Sequence, residues 1–220
     1  METFEFVTAA IAVTLGVGWA SGINLYAAIL ALGLMERLGY ATLPAGLEIL
    51  ADPLVIAAAA LMYMVEFVAD KTPGVDTGWD AIHTFVRIPA GALLAAGAIG
   101  DVAPAAELAA AIVGGGMAAG SHSLKAGSRA LINTSPEPFS NWTASVAEDV
   151  AVIAGLWIAL HSPLLFLVLL GVFIAVLIWL LPKIVRGLRV LGQRLGRLPR
   201  RQPSGSSDGT QRLPRHGPGP

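Results

Sequence analysis

A set of ionisable side chains in an otherwise apolar chain recurs at helical spacing, and the types suit ion pairing, proton relay or cation binding. Glu66 and Asp70 are four residues apart; Asp76, Asp80, His83 and Arg87 step by four, three and four; His122, Lys125 and Arg129 step by three and four. Residues three and four apart share one helix face, so three helices each carry a polar stripe, and Glu148 with Asp149 supplies a fourth group. A rise of about 1.5 Å per residue sets Arg87 about 12 Å beyond Trp79, and Glu148 and Asp149 about 9–10 Å beyond Trp142.

Two chemistries compete for these residues. Acidic Glu66 and Asp70 can neutralise basic Arg129 and its neighbours, with Glu148 and Asp149 as partners for Arg87; buried pairs of that kind can fix one helix packing and do nothing more. Alternatively, Glu66, Asp70, Asp80, His83, Arg87, His122, Lys125, Arg129, Glu148 and Asp149 form a binding site for an ion or polar solute, because ionisable groups inside a membrane mark functional sites. His83 and His122, a turn from carboxylates, are candidates for proton relay or metal ligation. The identity of any metal stays open, no cofactor is evident, and no residue is assigned a catalytic role.

The elements that must position these groups are membrane helices. Only 13% of the residues are charged, about half the share usual in soluble domains, and the mean hydropathy is +0.69. Residues 6–35 and 150–182 carry no charge, and about 20 apolar residues cross a bilayer. The fold class expected is an all-α polytopic membrane protein of about six transmembrane helices: Phe6–Met35, Pro53–Asp70, Trp79–Ile99, Ala106–Ala130, Trp142–Leu160 and Pro163–Leu181. Residues 1–182 form this domain. With no cysteine, thiol chemistry is excluded, and the absence of a basic start argues for a retained first span.

A helical hairpin is duplicated. Val55 to Gly97 lies over Ala118 to Leu160 without a gap; Thr72-Pro73 returns as Ser135-Pro136, and Trp79 as Trp142. A weaker echo, Gly18-Trp19-Ala20-Ser21-Gly22 over Gly116-Met117-Ala118-Ala119-Gly120, would relate spans one to three with four to six by inversion. These glycines suit either close helix packing or a broken helix whose freed backbone binds an ion.

Lys71, Lys125, Arg129 and the run from Lys183 onward fall on one side and Arg37 alone on the other, so the positive-inside rule puts both termini in the cytoplasm of a cell whose inner membrane holds the protein. On that side the glycosylation patterns at Asn133 and Asn141 are chance matches. Residues 183–198, with Ile184, Leu188, Leu191, Leu195 and Leu198 on one face and arginines elsewhere, read as a basic amphipathic helix on anionic inner-leaflet lipids. Residues 199–220 are rich in Pro, Gly, Ser and Arg and read as a disordered tail. The bilayer is the main partner, a second copy of the chain is another candidate, and nucleic acid is not.

His122-Ser-Leu-Lys125-Ala-Gly-Ser-Arg129, Ser135-Pro-Glu-Pro-Phe-Ser-Asn141, Ser145-Val-Ala-Glu148-Asp149 and Glu66-Phe-Val-Ala-Asp70-Lys-Thr-Pro73, continued by Asp76, Trp79-Asp80 and Arg87, resemble the family catalogued as domain of unknown function 4126. The resemblance covers about residues 10 to 180. It implies a small integral membrane protein of bacterial type and implies no activity.

Three functions follow from these features. Favoured is a transporter or channel for a small ion or polar solute through a cytoplasm-facing charged cavity. A structural or assembly role, with buried ion pairs only, is the alternative. An enzyme acting on lipid head groups through Asp76, Asp80, His83, Glu148 or Asp149 comes third, because no compact ligand spacing is visible.

Overall fold

A computed structural model describes residues 2–72, 74–100, 102–134 and 138–196. Pro73, Ser135-Pro136 of the expected repeat, and the tail beyond Gly196 lie outside the described residues. Every described element is helical: α1 Glu2–Arg37, a 3₁₀ helix Ala45–Ala51, α2 Pro53–Ala69, α3 Val75–Ala98, α4 Pro104–Ile132, α5 Pro138–His161 and α6 Pro163–Gly196. Proline opens α2, α4, α5 and α6, where its missing N–H costs nothing and its fixed φ suits the first turn. Asp52 adds a side-chain cap to α2, accepting from the Leu54 N–H at 2.7 Å.

The bundle is apolar outside and charged inside. Phe85 and Leu54 are 82% and 81% exposed, while Glu66, Asp76, Arg87 and Arg129 are fully buried. That inversion suits a hydrocarbon solvent, in which polar groups must find partners inside the protein. Four helices are long and apolar enough to cross a membrane, Thr3–Arg37, Val75–Ala98, Phe139–His161 and Pro163–Val190; a fifth is added if the 3₁₀ helix and α2, bent by 69°, make one span.

The expected first span is not a straight crossing. Asn24 has φ −146° and ψ 98°, outside helical values. Its Oδ1 accepts from the Ala27 N–H at 2.9 Å, so Asn24 acts as the N-cap of a second half-helix. A straight run from Phe6 to Leu43 would span on the order of 50 Å. Instead Phe6, Ala9, Ala10 and Val13 line one apolar cavity of about 420 Å³ with Thr42, Leu43, Pro44 and Ala45. Residues 2–23 thus run into the bundle and residues 25–37 run back out beside them.

The same cavity includes Ile99, Gly100, Val102 and Leu160, so the start of α1 lies at the end of the bundle that holds the α3–α4 turn and the end of α5. Far along α6, Ile184 packs at the position of Gly127 and Gly187 faces Leu131, at the other end of α4. The start of α1 and the end of α6 therefore occupy opposite ends of the bundle, because α1 doubles back. The basic segment expected as a separate helix continues α6: Pro182 removes one backbone hydrogen bond without ending the helix.

Glycines let α1 sit against α4. A Cβ on Gly18 would stand 2.6 Å from the Gly114 carbonyl oxygen, and one on Gly22 would strike Ser121 and Ala118. Rising numbers meet rising numbers, so these segments run in the same direction, which removes the inverted relation suggested by their shared glycines. Leu32, Val17, Val152, Leu156 and Ala95 build an apolar core around the two halves of α1.

Candidate functional site

Arg87 of α3 lies at the centre of the polar interior. Its Nη2 donates to Glu66 Oε1 at 2.5 Å and its Nη1 to Asp80 Oδ1 at 2.8 Å. Glu66 comes from α2, and Asp80 lies two helical turns before Arg87 on its own face. Lys125 of α4 reaches four carboxylates through one nitrogen: Asp70 Oδ2 at 2.8 Å, Glu66 Oε1 at 3.4 Å, Glu148 Oε2 at 3.5 Å and Asp80 Oδ1 at 3.9 Å. Arg129 grips Glu148 with two nitrogens, Nη2 to Oε2 at 2.7 Å and Nε to Oε1 at 3.3 Å. Its Nη1 donates to the carbonyls of Asp70 at 3.0 Å and Asn141 at 3.2 Å.

The charges converge, and only partly in the pairs expected: the acidic residues of α2 do meet the basic stripe of α4, Lys125 on Asp70 and Glu66 and Arg129 3.9 Å from Asp70. Arg87 meets Glu66 and Asp80 instead of Glu148 and Asp149, and Glu66 meets Arg87 and Lys125 instead of Arg129. The cause is the packing of α3 along α4, which puts Lys125 between the acidic stripe of α2 and Glu148 of α5. Asp149 stands apart from the guanidinium groups: Asn24 Nδ2 donates to its Oδ1 at 2.8 Å and the Tyr63 hydroxyl to its Oδ2 at 3.0 Å. It thereby sits at the N-terminal end of the second half-helix of α1, where a negative charge is favoured.

Neither histidine meets a carboxylate. Arginine can only donate, so Arg87 Nη1, 3.2 Å from His122 Nδ1, makes that nitrogen the acceptor; His122 is neutral and its Nε2 donates to Thr84 Oγ1 at 2.7 Å. The Thr84 hydroxyl in turn donates a hydrogen bond to the Asp80 carbonyl at 3.0 Å. His83 Nδ1 donates to the Trp79 carbonyl at 3.0 Å, and its Nε2 faces the Tyr26 hydroxyl at 3.3 Å. Among the described residues no three His, Asp or Glu side chains converge so as to hold a metal ion.

Asp76 forms a separate node at the end of the bundle that holds the α2–α3 and α4–α5 connections. Its carboxylate accepts from the N–H groups of Gly74 at 2.9 Å and Thr77 at 2.6 Å, from Asn133 at 2.7 Å and from Asn141 at 3.1 Å. Both asparagines of the glycosylation patterns are thus tied into the fold. Lys71, in the turn after α2, holds its ammonium 2.9 Å over the Phe67 ring, and desolvation pulls its pKa below the ordinary lysine value.

The cluster opens sideways. A crevice of about 310 Å³ between α1, α4, α5 and α6 is lined by Trp19, Ser121, Lys125, Ser128, Glu148 and Phe173 among others. Glu148, with 18% of its side chain exposed, is the member of the ion-paired cluster that reaches it most openly. Glu66, Arg87 and Arg129 have none of their side-chain surface exposed, so these residues close on one another.

Sequence reasoning missed Asn24, Tyr63, Thr84, Asn133 and Asn141 as parts of this network. Asn24 had a signal, being the only carboxamide in residues 6–35. Tyr63, Thr84 and Asn141 are ordinary helix residues and Asn133 is the C-cap of α4; their roles appear only when neighbouring helices are placed.

A helical protein with an apolar exterior, several helices able to cross a bilayer and an ion-paired interior belongs to the class of membrane proteins. A family model described as "Domain of unknown function (DUF4126)" matches residues 11–183, and the chain belongs to that family. No curated protein and no solved structure matches it.

Proposed function

We propose that the chain is a multi-pass inner-membrane protein that moves a small ion or polar solute, using the cluster around Lys125 as its binding site. The observation that carries this reading is the meeting of a broken helix and a buried cluster of charges: Asn24, at the break in α1, reaches Asp149, the residue next to Glu148. Transport proteins place broken helices and intramembrane charges together because freed backbone and buried charge both need a ligand or a partner.

In this reading α2 to α6 cross the bilayer and α1 enters and leaves by one face. The end with Lys71, Lys183, Arg186 and Arg189 is cytoplasmic, which puts the N-terminus on the outer side. Exposed Lys183, Arg186 and Arg189 on the extension of α6 bind anionic lipid head groups. The hairpins of α2–α3 and α4–α5 descend from one duplicated unit; both are splayed, with α1 packed against all four helices.

The test is flux in proteoliposomes, with ion and pH gradients imposed across a panel of ions and small solutes. Movement that Glu148→Gln abolishes supports the reading. No movement across the panel, with a cell phenotype that Glu148→Gln leaves intact, removes it.

The structural reading rests on one observation: each of the three cations has a carboxylate oxygen within 2.8 Å. It predicts that exchanging Glu66 and Arg87, rather than Glu66 and Arg129, restores folding and function together. An exchange that restores folding alone returns the argument to a binding site.

A further inference from the structure

Four carboxylates, Glu66, Asp70, Asp80 and Glu148, meet three cations, Arg87, Lys125 and Arg129, inside the bundle. Fully ionised, the cluster holds one negative charge without a counter-charge, and burial makes that costly. Among the described residues no neighbour supplies the missing charge. His122 is neutral because Arg87 donates to its Nδ1, His83 meets the Trp79 carbonyl and the Tyr26 hydroxyl and none of the four carboxylates, and Tyr26 and Tyr63 are phenols that cannot add positive charge. Asp149 is itself acidic, and Lys71 at the rim does no more than offset it. Asp76 is held by backbone and asparagine N–H groups.

The four carboxylates are not equivalent. Glu148 uses both oxygens on Arg129. Glu66, Asp70 and Asp80 each meet the cations through one oxygen, and their other oxygens, Glu66 Oε2, Asp70 Oδ1 and Asp80 Oδ2, are buried with no hydrogen-bond partner among the described residues. The side chains that carry them are at most 3% exposed. A buried carboxylate with one bare oxygen is poorly stabilised as an anion, and adding hydrogen to that oxygen removes the excess charge.

We infer that this cluster is a proton-binding site: one labile proton is shared among Glu66, Asp70 and Asp80. A proton needs no cavity, which suits three side chains shut from solvent, and among the described residues no three ligands converge there for a metal ion. The inference goes beyond the transport reading, since the proton is present whether or not anything crosses; only its identity as the moved ion rests on that reading.

Infrared spectroscopy of the full chain in lipid nanodiscs at neutral pH tests it through the carbonyl stretch of a protonated carboxylic acid, recognised by its shift in heavy water. Wild type shows one such band. Glu66→Gln, Asp70→Asn and Asp80→Asn, made singly, each leave three carboxylates against three cations, and each abolishes it; exposed Glu107→Gln leaves it in place. Three variants are made so that failure of one to fold leaves two. A wild type without the band, or a band surviving in every folded variant, overturns the inference. So does a band that vanishes when sodium or potassium is raised, which identifies a metal cation as the occupant. A band present in protein that moves nothing in liposomes sinks the transport reading and leaves the proton in place.

Discussion

Replacing Arg129 with methionine is the sharpest test of how the cluster is held. Arg129→Met removes both bonds to Glu148, at 2.7 and 3.3 Å, and both bonds to the carbonyls of Asp70 and Asn141. The cluster is then left with four carboxylates against two cations. Breaking a buried pair from one side costs about 3–5 kcal/mol, and each buried carbonyl left without a donor about 1–3 kcal/mol. Glu148 can recover some hydration through the crevice, and these terms overlap, so the expected loss is about 4 kcal/mol, a large part of the 5–15 kcal/mol that holds a typical domain. Adding Glu148→Met restores the original imbalance of one charge and replaces the pair with apolar groups. The double variant should therefore be about 2 kcal/mol more stable than Arg129→Met alone. Unfolding in detergent, followed by tryptophan fluorescence, reads both numbers. A single variant that loses less than about 1 kcal/mol, or a double variant no better than the single, refutes the claim that Arg129 matters through Glu148.

Other consequences are as specific. Gly18→Ala should lose about 1–3 kcal/mol, because its Cβ meets the Gly114 backbone at 2.6–2.8 Å; Gly116→Ala, with nothing within 4 Å, should lose nothing, and thermal unfolding compares them. Asn24→Ala should lose about 2 kcal/mol in the same assay, since the half-helix cap and one donor to Asp149 go together. The chain has no cysteine, so single cysteines at Glu5 and Gln193 can be labelled in intact cells by an impermeant thiol reagent. Labelling at position 5 alone is expected, and equal labelling of both would contradict the doubled-back α1. Glu66→Gln should be tolerated, whereas Glu66→Gln with Asp80→Asn, leaving three cations against two carboxylates, should lose about 3 kcal/mol.

The stripes of charge were legible because intrahelical spacing depends on one helix at a time. Glu66 with Asp70, Asp80 with Arg87, and Lys125 with Arg129 do share faces and do turn inward. The meeting of the acidic stripe of α2 with the basic stripe of α4 was legible too, but the partners of Arg87 were not, because pairing depends on which helices touch. Alignment of residues 55–97 with 118–160 set Glu66 opposite Arg129, but the α2–α3 and α4–α5 hairpins are splayed around α1, and Lys125 comes between them. The path of α1 was the decisive unknown. Thirty uncharged residues read as one span because hydropathy counts apolar length and ignores direction, and one asparagine among them changes little in any average.

Asn24 ends that helix by a local competition: its side chain offers the Ala27 N–H the acceptor that the helical backbone would otherwise supply. In water such a break is held weakly, since solvent satisfies either arrangement. Inside a bundle the alternatives are fewer, and the structure commits several residues to the break: Asp149 accepts the other end of the Asn24 amide, Ser121 lies 2.9 Å from the Trp19 carbonyl, and Ser21 bonds the Arg87 carbonyl at 2.9 Å. The last of these ties the turn before the break to the backbone of the central arginine. A change in the charge of the cluster that moved Arg87 would pull on the break, and a shift of the two half-helices would pull on Arg87. The kink and the cluster therefore form one mechanical unit, and Ser21→Ala should loosen α1 without altering any charge. Faster amide hydrogen exchange around residues 20–27 in that variant is the expected result, and unchanged exchange there would separate the two features.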